Sequence, residues 1–511
     1  MMAVDDLREN FHINKIAPSE LEDFLTAQTY RPDITISYQK ISDLPNKTLQ
    51  QLCASKIQQG STPVYASKGP ICLKSKQVSE IVVSDFTDTC VDDEWAKKNS
   101  KSRVSTGDVL LTRQGTGTIG RAGIYLGAGA YTNDSLFKIS IDKADSAYVC
   151  AFLSTFIGHR LIEKGVYGST GQLNLSVEHV KRLPVPVFDQ QSQKYIGDKV
   201  RQAEQLRAWA KAVQQQAAEL LPAYINEIQR HEAKSYRAKD IIPERLDSLF
   251  YHPDYIALEG KMKTKGCKRL GLITKQIKNS WDKKKAEAFE YYEIGGLDIT
   301  TGQVSSTKTQ TVEAPSRAKT KVQQGDVLVS TVRPNRKNVG FIVDSVTESE
   351  MVATSGFSVL RFSSLAQAAF YHAWLRTDDA TAQLMRWNSG SAYPAIDDDV
   401  PLNIIVPEFE QDFVDSWGQK LLDAQFAYVY ARILTEVAKT LVEALIEGQL
   451  TERQLIQARQ ALEDGDNGLD RAILSKLSSE GYAIDGATPL FSDIDELYRL
   501  LESAAQAEAE E

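Results

Sequence analysis

Two stretches of the chain combine residue types suited to reading the edges of nucleic-acid bases. Arg113-Gln114-Gly115-Thr116-Gly117-Thr118 sets a guanidinium beside a carboxamide. Each can form a paired hydrogen bond with a single base, and the threonine hydroxyls add donors and acceptors. Gly115 and Gly117 would let backbone amides come close to a phosphate, and Arg121 follows. Tyr167-Gly168-Ser169-Thr170-Gly171-Gln172 is a second candidate loop of the same chemistry. Later in the chain Arg333, Asn335, Arg336 and Lys337 form a loop matching the first, with Asn388, Ser389, Ser391 and Tyr393 standing opposite Ser169 and Thr170. Lys283-Lys284-Lys285 and Arg317-Ala318-Lys319-Thr320-Lys321, with Lys284, Lys319 and Lys321 at their centres, would hold phosphates. The plainer alternative is that the glycine loops are tight turns and the lysine runs solvated surface.

Other constellations carry less. Gly115, Gly117 and Gly120 fit GxGxxG, but Arg121-Ala-Gly-Ile-Tyr-Leu-Gly reads as another strand, where a dinucleotide site needs a helix to receive the pyrophosphate. Pro253-Asp254 with Glu259 and Lys261 imitates a nuclease metal motif, yet the two carboxylates are too close in sequence and lack flanking strands. No NPPY-like motif is present to hold a flipped adenine. His159 and His179 stand away from any nucleophile. Cys53, Cys72, Cys90, Cys150 and Cys267 are scattered without a CxxC pair. The expectation is no catalytic residue, no metal and no cofactor held by this chain.

The elements that position the loops occur twice. GDVLLTR (107–113) echoes GDVLVST (325–331), Phe137 and Ile139 echo Phe357 and Val359, and GSTGQL (168–173) echoes GSAYPA (390–395). Arg31 and Asp33 echo Arg245 and Asp247. Downstream, Gly197, Lys199, Ala203, Ala210 and Ala217 match Gly418, Lys420, Ala424, Ala431 and Ala438. So long a period marks a duplicated domain and excludes a solenoid. Each copy opens with short β patterns punctuated by Gly, Ser, Thr and Asn (about 31–187 and 245–407), with one helix expected near 148–160 and another near 368–386. Each then closes with a long helix (about 189–233 and 408–449). Alanines seven apart in both helices suit close pairing, so the two are expected to run antiparallel as a coiled coil about a pseudo-twofold axis. Residues 451–511 have no counterpart; they read as a helical extension, with a capping box at Thr451 and Gln454, a helix start at Ser492 and a disordered-looking end in AAQAEAEE.

A chain of 511 residues with this duplication needs more than one core. Its net charge of −9 is unevenly spread: residues 234–345 hold 21 Lys and Arg against 13 Asp and Glu, and residues 408–511 hold 8 against 22. A locally basic face can meet phosphates whatever the total. The N-terminal sequence has no signal-peptide pattern and no run approaches the ~18 apolar residues of a membrane span, so a reduced cytoplasmic setting is expected.

GDVLLTRQGTGTIGRAGIY, then YTNDSLFKISI, then GSTGQLNLSVEHVKRLPVPVF and a long helix, together resemble a target-recognition domain plus conserved helix of type I restriction–modification specificity subunits. GDVLVSTVRPNRKNVGFIV through GSAYPAIDDDVPLNIIVP resembles the same unit, more diverged. The resemblance spans about 30–450. It implies an α+β chain of five parts: a first target-recognition domain (1–187), a central spacer helix (188–236), a second target-recognition domain (237–407), a distal spacer helix (408–450) and an acidic helical extension (451–511). It further implies a non-enzymatic subunit that reads a bipartite, non-palindromic duplex and docks two adenine methyltransferase subunits. S-adenosylmethionine would sit on those partners, and a restriction or translocase subunit would join them. The extension is longer than the family norm and is similar to variants of methylation-associated anti-phage systems. The alternatives are a self-contained DNA nuclease or methyltransferase, and a helical scaffold that binds no DNA.

Overall fold

The computed structural model describes residues 25–227 and 245–510, apart from 80, 86, 116, 169–172, 285, 344–348, 391 and 392, together with 16, 18, 21 and 241. The chain divides into two compact units, residues 1–205 with 431–501 and residues 206–430 with 502–511.

The first unit carries helices α1 (Pro32–Ser42), α2 (Asp93–Lys98), α3 (Ser146–Leu153), α4 (Phe156–Glu163) and α5 (Val177–Arg182). Its strands are β1 (Asn46–Thr48), β2 (Gln58–Gln59), β3 (Tyr65–Leu73), β4 (Cys90–Val91), β5 (Arg103–Val104), β6 (Val109–Thr112), β7 (Ala122–Ile124), β8 (Ala130–Thr132), β9 (Leu136–Ile139), β10 (Val166–Tyr167), β11 (Asn174–Leu175) and β12 (Pro184–Pro186). One four-stranded sheet has the order β2-β9-β6-β7 and another β4-β3-β8-β5. Apolar residues from both bury a common core that includes Leu73, Val104, Leu110, Tyr125 and Leu136. Val109–Thr112 is buried on both faces, which explains why DVLLT reads as a continuous apolar run rather than an alternating one.

The second unit repeats this order. Helix α7 (Pro253–Lys265) stands for α1, and β13 (Cys267–Arg269), β14 (Lys275–Gln276), β15 (Ala288–Leu297), β16 (Val304–Gln310), β17 (Ala318–Lys321), β18 (Val327–Ser330), β19 (Val339–Phe341), β20 (Glu350–Thr354), β21 (Phe357–Arg361) and β22 (Ile405–Pro407) reproduce the strands other than β10 and β11, in whose place stands a single bridge between Ser389 and Ala395. The sheets run β14-β21-β18-β19 and β16-β15-β20-β17, the same orders strand for strand. Even the parallel pairing recurs, β3 with β8 and β15 with β20. Asn46 opposite Pro186 in the first copy becomes Cys267 opposite Pro407 in the second. The duplication is thus one of topology and register, with one correction: Leu136 opposite Thr112 becomes Phe357 opposite Ser330, so Phe357 answers Leu136 and not Phe137.

Helices α8 (Leu365–Leu375) and α9 (Asp378–Arg386) correspond to α3 and α4, so each copy has two short helices where one was expected. The break falls at Thr155 and Thr377. Both take extended backbone (ψ 164° and 163°) and turn their hydroxyls to accept from Gly158 N and Ala380 N, capping the next helix. Helix α10 (Val400–Asn403) then matches α5.

The long helices are α6 (Gln190–Leu220) and α11 (Gln411–Ile446). The first was expected to reach residue 233; it ends two residues before Pro222, whose ring removes a donor and blocks the preceding turn. At 31 residues it is about 46 Å long. Ala203, Ala210 and Ala217, like Ala424, Ala431 and Ala438, are no more than 3% exposed. Each long helix is divided between the units, the N-terminal part of α6 grouping with the C-terminal part of α11 and the reverse.

The extension forms α12 (Glu452–Glu463), α13 (Gly468–Leu474), the hairpin β23 (Leu477–Ser478) and β24 (Gly481–Tyr482), and α14 (Ile494–Glu510). Thr451 and Gln454 make the expected capping box. Helix α14 is capped by the Asp493 carboxylate accepting from Glu496 N at 3.1 Å, where Ser492 was expected. It continues to Glu510 through the alanine-rich end expected to be disordered, alanine being the strongest helix former. Within the first unit the extension is seated on α6 by Asp470, whose carboxylate takes Lys199 Nζ at 2.7 and 2.9 Å and the hydroxyls of Tyr195 and Tyr498.

Candidate nucleic-acid interface

In the first copy β6 delivers Arg113 to the end of its sheet, and three backbone contacts clasp it there. Arg113 N donates to Ser135 O (2.8 Å), Leu175 N donates to Arg113 O (2.9 Å), and Gln114 bridges to Asn174. In the second copy Thr331 N donates to Gly356 O (2.9 Å), Ile396 N donates to Thr331 O (2.9 Å), and Val332 bridges to Ala395. The clasp is the same bond for bond. It brings the start of the loop after β6 or β18 against Asn174 and Leu175 in the first copy and Ala395 and Ile396 in the second.

What the clasp presents differs between copies. Arg113 is half-buried, its Nη1 donating to Asp134 O (3.2 Å) and Gln114 Oε1 (3.3 Å). Arg121 is exposed and donates to Gly117 O (2.9 Å), closing the loop. Gly115 has φ +127°, and a Cβ there would lie 2.4 Å from Thr118 Oγ1. That hydroxyl is buried and has no hydrogen-bond partner among the described residues. The candidates Thr116, Ser169, Thr170 and Gln172 lie outside the described residues.

By the matched bonds, Arg333 of the second copy stands where Gly115 stands in the first. Its backbone is left-handed (φ 51°, ψ 57°), and Lys337 at the far end of a single 3-10 turn is left-handed too (φ 55°, ψ 35°). Non-glycine residues there cost about 1–3 kcal/mol each and persist where the surroundings hold them. The holding bond is Arg333 N to Pro394 O at 2.7 Å. The Arg333 guanidinium lies 4.8 Å from the centre of the Tyr393 ring, which is 69% exposed. Asn335 and Arg336 are exposed at the tip. Lys337 is ion-paired with Asp378 (2.7 Å), and the Ser389 hydroxyl donates to Ala395 O (3.3 Å). Ser391 lies outside the described residues.

The two basic stretches belong to the other sheet of the second copy. Trp281 N donates to Lys319 O (2.8 Å), which ties the segment carrying exposed Lys284 to β17 with exposed Lys319. Lys321 is engaged by Glu350 at 2.5 Å. Sequence reasoning missed the Asn133-Asp134 turn that braces Arg113 and the Asp378 counter-charge on Lys337. The first had a signal in YTNDSLF; the second had none, because Asp378 sits 41 residues from Lys337.

Gly120 leads into strand β7, so no helix N-terminus faces the glycine loop. Glu259 is paired with Lys263 (2.6 Å) and Arg386 on the surface of α7. His179 Nε2 is bonded to Leu161 O (2.8 Å) inside the core. Burial pushes the Cys53 thiol up to about 12 and Cys72 to about 11, which removes their nucleophilic character at neutral pH. Among the described residues no group of His, Cys, Asp and Glu could hold a metal, and no helix is long and apolar enough to cross a membrane.

No family model matches the chain, and no curated protein matches it. Solved structures of type I restriction–modification S subunits, and of the type I R-M system, match most of the chain at low TM-scores. The S subunit from M. genitalium is 12% identical over 81% of this chain and 95% of its own, with a TM-score of 0.36. The HsdS subunit from Thermoanaerobacter tengcongensis is 12% identical over 79% and 97%, with a TM-score of 0.25. A structure described as the basis of complex assembly and conformational transition of the type I R-M system is 12% identical over 81% and 98%, with a TM-score of 0.27.

Proposed function

We propose that this chain is a DNA specificity subunit of the type I restriction–modification class, reading a bipartite, non-palindromic duplex without catalysing a reaction. The observation that carries the reading is the repeated clasp. One backbone arrangement presents a Gln/Thr/Gly loop in the first copy and an Arg/Asn/Lys loop in the second, so two equivalent mounts hold dissimilar readers. The buried alanines of α6 and α11 support an antiparallel spacer, and the exchange of helix halves between units is what such a pair produces. Two such heads would read two half-sites about one helical turn apart, roughly 34–36 Å along the duplex, and skip the bases between.

In this reading the partners are double-stranded DNA, two adenine methyltransferase subunits carrying S-adenosylmethionine, and a restriction or translocase subunit, in a cytoplasmic anti-phage complex. The chain itself holds no cofactor. Purified full-length protein with duplex DNA, Mg²⁺ and S-adenosylmethionine is expected to bind without cleaving or methylating; turnover by the chain alone contradicts the proposal. Arg113→Glu and Arg333→Glu are each expected to abolish methylation at the target by the assembled complex while methyltransferase docking survives. A scaffold that binds no DNA predicts full methylation in both variants.

A further inference from the structure

We infer that Arg333 reads a guanine in the half-site of the second copy, with Tyr393 as the positioning residue that aims its guanidinium; this rests on the DNA-reading function proposed above. Three observations converge. At the equivalent place the first copy uses Gly115, the residue a positive φ favours, whereas the second copy holds an arginine at φ 51°. A glycine would relieve that strain, so the arginine is retained for its side chain. Next, Lys337 at the far end of the turn is engaged by Asp378, and exposed Arg336 has no aromatic ring against it, while the Arg333 guanidinium is held by a ring yet makes no side-chain hydrogen bond or ion pair among the described residues. Last, that guanidinium rests against the Tyr393 ring, which limits its rotamers without using the N–H donors in its plane.

A guanidinium so placed has two N–H groups at the spacing of guanine O6 and N7, both acceptors on the major-groove edge. Adenine presents a donor where guanine has O6, so the same pair of donors rejects it. Lysine keeps the charge and loses the fork. A phosphate-holding role would be indifferent to base identity and satisfied by either residue.

The test uses the full-length chain and the duplex it prefers from a randomised pool, with every single-base substitution of that duplex measured by competition. The wild type is expected to require one G·C pair in one half-site, each replacement weakening binding about tenfold or more. Arg333→Lys and Arg333→Gly are expected to lose that requirement and keep the preferences of the other half-site. Arg333→Gly should melt no lower than wild type, since it relieves the backbone. Tyr393→Phe should behave as wild type, and Tyr393→Ala should blur the requirement while binding persists. Unchanged preference for that pair in both Arg333 variants overturns the inference and leaves the DNA-reading function standing. A wild type that selects no sequence at all overturns both.

Discussion

His372 and Asp470 are two buried ionisable residues with opposite solutions to burial, and each makes a prediction. Burial, reinforced by the Arg376 guanidinium, holds His372 down to about 3 against the carbonyls of Val339 and Gly302. The unfolded chain takes up this proton below about pH 6.5, and the folded chain refuses it until about 3. The contribution of His372 to stability is therefore whole above pH 6.5 and declines as pH falls towards 3, by at most about 1.4 kcal/mol per pH unit. His372→Gln should flatten the fall of melting temperature between pH 6 and 4; an unaltered slope contradicts this. For Asp470, burial opposes the charge but Lys199 and the two tyrosine hydroxyls outweigh it, so its carboxyl lies below its ordinary value. Its contribution is present above the ordinary carboxylate range and is lost only as pH falls through the depressed value. Lys199 and Asp470 side chains are 2% exposed, so Asp470→Ala strands a buried cation and should cost about 3–5 kcal/mol. The readout is a lowered melting temperature with faster proteolysis within 451–510; wild-type resistance would show that the extension is held by other contacts. At this scale the sequence exposed what local pattern can expose. Arg333 and Tyr393 stand out by type and place, whereas the partner of Lys199 lies 271 positions away and in no motif.

Helices and strands were legible to the extent that their signals are local. Short apolar runs gave β6, β9, β18 and β21, and the capping box gave the start of α12. The helix pairs α3–α4 and α8–α9 were read as single helices because a threonine can sit inside a helix or cap one, and only packing decides which. Pro222 ends α6 early, and the chain beyond it is taken over by Asp379, whose carboxylate accepts from Tyr224 N (2.9 Å) and Ile225 N (2.8 Å). The alanine heptad makes the sharpest prediction for an element. Ala210 is fully buried and Ala208, two residues away on α6, is exposed. Ala210→Leu should destabilise by about 1–3 kcal/mol through overpacking, and Ala208→Leu should change stability by no more than about 0.5 kcal/mol. Equal melting temperatures for the two variants would mean that the alanine stripe is not a close helix contact.

The molecule as a whole is a duplicated α+β unit, each copy followed by a long helix, with an acidic extension packed on the first. The repeat was visible because equivalent residues keep a nearly constant separation, and the matched sheet orders extend that correspondence to parts where the two sequences share almost nothing. Loops were the illegible part: they diverge between copies, and only the backbone clasp identifies which loop positions correspond. Selection of duplexes from a randomised pool by the full-length chain bears most directly on the central claim that two dissimilar reading heads share one chain. Two short blocks of different sequence, separated by unspecified base pairs of fixed number, are the predicted result. A single contiguous block, or two identical blocks in inverted repeat, would contradict it.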